Sequence, residues 1–153
     1  MLLVMFCLLH TLSQQQQLAD LIANSTENLV EADQPYELTR AEFQKQGQDY
    51  LMTAILSYVT PGTTSGMQER RQVLLSAVTE VTVHGAASSP DQRAVFVLIK
   101  YRPHKDGAFT YKTENQQDFG TITAFRLGTY TPADARTIAA RLTEMVIAAR
   151  KSD

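Results

Sequence analysis

The stretch from Phe119 to Lys151 constrains the fold of this chain more than any other. It reads as a strand that runs into a long helix. Thr131 can accept hydrogen bonds from first-turn N–H groups, and Pro132 suits the first helical position, where its missing N–H would be unpaired anyway. Asp134 places negative charge at the positive end of the helix dipole, and Arg150 and Lys151 place positive charge at the other end. Ala135, Ile138, Ala139, Leu142, Met145, Val146 and Ala149 recur at spacings of three and four, forming one continuous apolar stripe. Arg136, Arg141, Thr143 and Glu144 lie off it. The alanines in the stripe let a partner surface approach closely. Just before the helix, Gly120 to Gly128 alternates as a half-buried strand does. The helix is expected to fold back across the sheet that holds this strand.

With 153 residues the chain is long enough for one domain with a substantial core. Its 44% hydrophobic and 20% charged content excludes disorder and a multi-span membrane protein. The net charge is -2 and no block of like charge occurs. A basic face for nucleic acid is therefore missing, and Arg70-Arg71 reads as a solvated pair near the start of an element. The single cysteine, Cys7, excludes an intrachain disulfide and a cysteine-rich zinc site. It sits among apolar neighbours, a setting that raises a thiol's pKa and makes it inert.

Those neighbours, Leu2, Leu3, Val4, Met5, Phe6, Leu8 and Leu9, form an apolar run too short to span a bilayer, which needs about 20 residues. Neither the basic opening nor the small-residue cleavage site of a secretory signal is clear. Three readings follow: the start of a buried core helix, a surface that docks on a partner or membrane, or the end of a longer membrane segment. The third is preferred, because an end this apolar facing solvent is an aggregation hazard. It implies membrane contact through Leu2, Leu3, Val4, Phe6, Leu8 and Leu9, and a membrane-associated, extracytoplasmic location for the rest.

The chain divides into an N-terminal apolar helix over residues 1–30 and a single α+β domain over 37–153. In the first, Leu8, Leu9 and Leu12, then Leu18, Ala19 and Ile22, share a side. Asn24-Ser25-Thr26 matches a glycosylation sequon, a triplet that often arises by chance. A second helix is expected from Thr39, where Thr39 and Glu42 form a capping box and Leu38 and Phe43 take the staple positions. Phe43, Tyr50, Leu51, Ala54, Ile55, Tyr58 and Val59 would be its apolar face, with Gly47 a site of close crossing. Thr60-Pro61-Gly62 ends it. Met67 to Val73 reads as a short helix or a lead-in to a strand. Four strands follow: around Val81–Val83, Ala94–Tyr101, Ala108–Thr113 and Gly120–Gly128. The second is apolar on both faces at first, hence central. Their short connections predict an antiparallel meander.

No catalytic, cofactor-binding or metal-ligating residue can be named. His10, His84 and His104 are far apart and none pairs at helical ligand spacing. No His-Glu-x-x-His, phosphate loop, Gly-x-Gly-x-x-Gly or Gly-x-Ser-x-Gly occurs. Glu42 and Asp49 have no acidic neighbour at i+3 or i+4. Tyr50, Tyr58, Tyr101, Phe109 and Tyr111 suit a core as well as a pocket.

Two resemblances add to this. The apolar start, the helix Leu12–Ala23 and the opening Glu37-Leu38-Thr39-Arg40-Ala41-Glu42-Phe43 resemble TadE-like pseudopilins over roughly residues 1–60. This likeness implies a membrane helix carrying an outer-face domain. Tyr50-Leu51-Met52 and Ile55–Gly62, with a sheet after them, look like VirB8/TraE-type conjugation proteins, which implies an NTF2-like domain outside one membrane helix.

The expected fold is α+β: N-terminal helices, an antiparallel meander of about four strands and a C-terminal helix packed on the sheet. The expected function is a non-enzymatic structural or interaction component of a membrane-associated assembly, such as a pilus or secretion apparatus, with other protein subunits as partners. The alternative is a small soluble NTF2-like enzyme or small-molecule-binding module, with Tyr50, Tyr101 and Tyr111 lining a cone. What the inner face of the sheet holds discriminates the two.

Overall fold

The computed structural model describes residues 14–24, 29–31, 34–59, 66–102, 108–112, 116–118 and 124–151. Helix α1 (14–23) comes first. Strands β1 (Leu29–Glu31), β2 (Gln34–Gln46), β3 (Asp49–Val59) and β4 (Gly66–Leu74) follow, then a 3-10 turn (Leu75–Ala77). Strands β5 (Val78–His84), β6 (Val95–Tyr101), β7 (Ala108–Lys112), β8 (Gln116–Asp118) and β9 (Ala124–Tyr130) lead to helix α2 (Pro132–Arg150). The class is α+β, and all strand pairs are antiparallel.

The strands form two sheets, in the orders β1-β2-β3-β4-β7-β8 and β5-β6-β9, instead of one four-stranded meander. The meander fails at β7. Its neighbour in the chain is β6, yet it pairs with β4 in the other sheet. The 3-10 turn makes the first crossing between sheets. Leu75 and Ala77 are both buried there, so the step from β4 to β5 is anchored in the core. β6 is central, as expected, but central in the three-stranded sheet.

The second expected helix is instead the longest hairpin among the described residues. Gln46 pairs with Asp49 across a two-residue turn, and Gly47 there has φ 61°. Two-residue hairpin turns need positive φ at the first position, which glycine adopts without strain. The apolar residues that fit a helical stripe also fit period-two alternation. Leu38, Ala41, Met52, Ala54 and Leu56 are buried in the core, while Arg40, Glu42 and Gln44 fall on the opposite row. A bulge between Leu38 and Arg40 keeps both Leu38 and Ala41 inward. The supposed capping box, Thr39 and Glu42, therefore caps nothing.

Asp49 opens β3. Its carboxylate accepts from the Tyr50 N–H at 2.7 Å and from the Ser76 N–H at 3.3 Å, tying the hairpin to the 3-10 turn.

α2 forms as expected. Thr131 Oγ1 accepts from the Asp134 N–H at 3.2 Å, and Pro132 starts the helix. Ala135, Ile138, Leu142, Val146 and Ala149 are buried, with Ala139 and Met145 partly buried against the same core. Each large aliphatic side chain contributes roughly 1.5–3 kcal/mol by leaving water. At the far end Arg150 Nη2 donates to the Val78 carbonyl, fixing the helix to β5.

α1 uses Leu18, Ala19 and Ile22 in the same core cluster that joins both sheets and α2. This bears on the membrane expectation. Among the described residues, no helix is long and apolar enough to cross a membrane. The apolar side chains of α1 are committed to the interior instead. The membrane-associated, extracytoplasmic reading is accordingly withdrawn, together with the pilus and secretion terms that rested on it. The contact proposed through Leu2, Leu3, Val4, Phe6, Leu8 and Leu9 goes with it; those six residues lie outside the described ones.

Candidate functional site

Among the described residues, β2 has an outer edge that β1 covers only at one end. β1 pairs with β2 only at Gln34, Pro35 and Tyr36. From Leu38 to Gln46, β2 pairs among the described residues with β3 alone. A strand edge left this way presents a row of backbone donors and acceptors to whatever lies alongside.

What lies alongside is α1. Two long-range hydrogen bonds hold the end of this helix: Tyr130 Oη donates to the Ile22 carbonyl at 2.6 Å, and Arg93 Nη1 donates to the Asn24 carbonyl at 2.6 Å. These carbonyls belong to the helix end, where intrahelical partners run out. With Leu18, Ala19 and Ile22 turned inward, α1 shows Gln16 and Asp20 to solvent, joined by a 2.8 Å hydrogen bond. Between α1 and β2 runs a groove of about 730 Å³. It is lined by Gln15, Gln16, Ala19, Asp20 and Ala23 on one side and by residues 40–44 on the other. A smaller trough of about 210 Å³ separates α1 from α2, between Gln14, Gln15, Leu18, Arg141, Glu144 and Met145.

On the outer row of β2, Arg40 and Glu42 form an exposed ion pair at 2.5 Å. Further along that row, Gln72 Nε2 donates to Thr53 Oγ1 at 2.9 Å. The inner row holds a different pair. Arg71 Nε meets Glu69 Oε1 at 2.7 Å, with both side chains buried. Arg70-Arg71 is therefore not a solvated pair: Arg70 is exposed and Arg71 is interior. Strand alternation separates the two neighbours onto opposite faces.

The open face of the three-stranded sheet carries a stack. The ring of His84 lies on Phe96 at 5.5 Å between centroids, and the Arg126 guanidinium sits 4.3 Å from the Phe96 centroid. The Nε of Arg126 is shielded from solvent without a hydrogen-bond partner among the described residues. The cation–π contact compensates part of that loss.

Among the described residues, no catalytic grouping assembles around those weighed from sequence. His84 has Thr82 Oγ1 2.8 Å from its Nε2. Asp49 serves the 3-10 turn. Tyr101 is buried and Tyr50 is half-buried against the core. Cys7, His10 and His104 lie outside the described residues, as do the side chains of Tyr58, Phe109 and Tyr111. Among the described residues, no three His, Cys, Asp or Glu side chains gather as metal ligands. Sequence reading missed the β2 edge because it took that stretch for a helix, and a helix has no edge. Compared with family models, with curated proteins and with solved structures, the chain finds no match.

Proposed function

We propose that this protein is a non-enzymatic interaction module that takes an extended strand of a protein partner onto the free edge of β2. The single observation that carries this reading is the groove between α1 and residues 40–44, which runs beside a strand paired on one side only. Strand addition of this kind draws affinity from main-chain hydrogen bonds and selectivity from the side chains that flank the added strand. Here Arg40, Glu42 and Gln44 flank it on one row, and α1 walls the other.

The burial of the inner row supports the same reading. The inner row of the six-stranded sheet carries Met52, Ala54, Leu56 and Val73, all buried to 2% exposure or less. The sheet is not curled into a cone that would hold a small molecule. A buried inner row beside an accessible strand edge suits a partner surface better than a ligand chamber.

The test is a titration of the ¹⁵N-labelled protein with a synthetic heptapeptide of alternating threonine and valine. The expected result is slowed amide exchange and shifted resonances along residues 38–46 and the exposed side of α1. Saturable shifts elsewhere with none along β2, or no response at all, would overturn the reading.

A further inference from the structure

The charges of β2 stand in an antisymmetric order about Ala41. Arg40 is one residue before it and Glu42 one after; Glu37 is four before and Lys45 four after. Every charge has the opposite sign to its mirror position. On a free edge this order has a use, because two identical antiparallel strands related by a twofold axis face each other in mirrored sequence.

We infer that the occupant of the β2 edge is a second copy of this chain, paired antiparallel about Ala41. This rests on the edge-binding reading above and names its partner. Arg40 then faces Glu42 of the second copy, and Glu42 faces its Arg40. The two six-stranded sheets become one continuous sheet.

Three observations converge on that register. β1 covers residues 34–36 and the hairpin turn begins at Gly47, so the open stretch is 37–46, and its middle falls beside Ala41. Arg40 and Glu42 are 68% and 44% exposed on one row, 2.5 Å apart, so a second copy adds its own pair to make four alternating charges around the axis. Ala41 itself points inward and is buried, so no bulky side chain stands at the axis.

Other registers lose this match. An axis on Arg40 or on Glu42 sets like charges face to face, which is destabilising across a ladder. Parallel in-register pairing does the same at every charge. An axis on Phe43 leaves the charges facing neutral residues. The bulge beside Thr39 lies between the inner and outer charges, so Arg40 and Glu42 make the selection.

The experiment is sedimentation of the full chain over a concentration series at low ionic strength, with Arg40→Glu and Glu42→Arg made separately. Both positions are exposed, so both variants should keep the wild-type fold by circular dichroism. The wild type is expected to dimerise. Each variant faces two like charges at the axis and should dimerise about tenfold or more weakly. Mixed in equal amounts, the two should recover a dimer, since every facing pair is then opposite in sign.

A wild type that stays monomeric, variants that dimerise unchanged, or a mixture that gains nothing would each overturn the inference. The threonine–valine peptide separates this failure from the earlier one. Protection of residues 38–46 by the peptide in a strictly monomeric protein removes self-pairing and keeps the edge. Protection by neither peptide nor second copy removes both.

Discussion

In the six-stranded sheet, Glu69 and Arg71 meet at 2.7 Å with 5% and 7% of their side chains exposed; in the three-stranded sheet, Glu80 and Lys100 meet at 2.7 Å with 46% and 48% exposed. Distance alone makes these the same interaction. Their surroundings make them different ones. The exposed pair exchanges water for a partner at little net gain, and salt screens it. The buried pair has given up its hydration, so each charge depends on the partners it keeps in the interior. The choice of cation fits: a guanidinium is more weakly hydrated than an ammonium and offers a planar set of donors, so it is the better group to bury. Ala54 and Ala41 stand in line with Arg71 across the ladder, leaving a low row beside a long side chain.

The sharpest way to break the comparison is Arg71→Ala. It removes a buried partner of the Glu69 carboxylate and should cost about 3–5 kcal/mol in urea denaturation. Replacing both members with apolar residues, Glu69→Leu with Arg71→Met, should return most of that stability, because both buried charges are removed together. An Arg71→Ala protein as stable as wild type would mean that water reaches Glu69 and that the two pairs do not differ.

A second comparison uses one glycine from each sheet. Gly85, after β5, has φ 99°, and a Cβ there would lie 2.6 Å from the Ala94 carbonyl oxygen. Gly47, in the β2–β3 turn, has φ 61° and open space around an added Cβ. Gly85→Ala should therefore cost about 2–3 kcal/mol by thermal melting, combining backbone strain with a backbone clash. Gly47→Ala should cost about 1 kcal/mol, for the left-handed conformation alone. Equal effects would show that conformation, not space, limits both.

The smallest expected effect is Lys100→Ala, about 0–1 kcal/mol at low salt and less in high salt. A loss as large as that of Arg71→Ala would erase the distinction between the sheets.

What could be read in advance follows from how far each element depends on distant partners. α2 carries its own instructions in Thr131, Pro132, Asp134 and the stripe from Ala135 to Ala149, so it was legible. β6 was legible because Val95 to Ile99 is an unbroken apolar run with β-branched residues at Val95, Val97 and Ile99. β2 and β3 were not. Thr39 and Glu42 mimic a capping box, and Phe43, Tyr50, Ala54 and Tyr58 recur at helical spacings as well as strand ones. The choice is made by pairing across the Gly47 turn and by the core beneath. The alternation of Arg40, Glu42 and Gln44 with Ala41 and Phe43 was in plain view, but it competes with a local motif that local reasoning favours.

The division into sheets was hidden for the same reason, since β7 finds β4 across an intervening pair of strands. The edge site inherits both difficulties. Its charge pattern becomes meaningful only once residues 37–46 are extended and unpaired on one side.

The two hydrogen bonds that hold the end of α1 have a consequence for how the chain is made. The Asn24 carbonyl waits for Arg93, 69 residues later, and the Ile22 carbonyl waits for Tyr130, 108 residues later. At a synthesis rate of roughly 5–20 residues per second, Tyr130 emerges on the order of ten seconds after Ile22. Through that interval Leu18, Ala19 and Ile22 have no completed core to enter. The chain's first described helix is among the last to be secured, and its apolar face is what a ribosome-bound chaperone would meet.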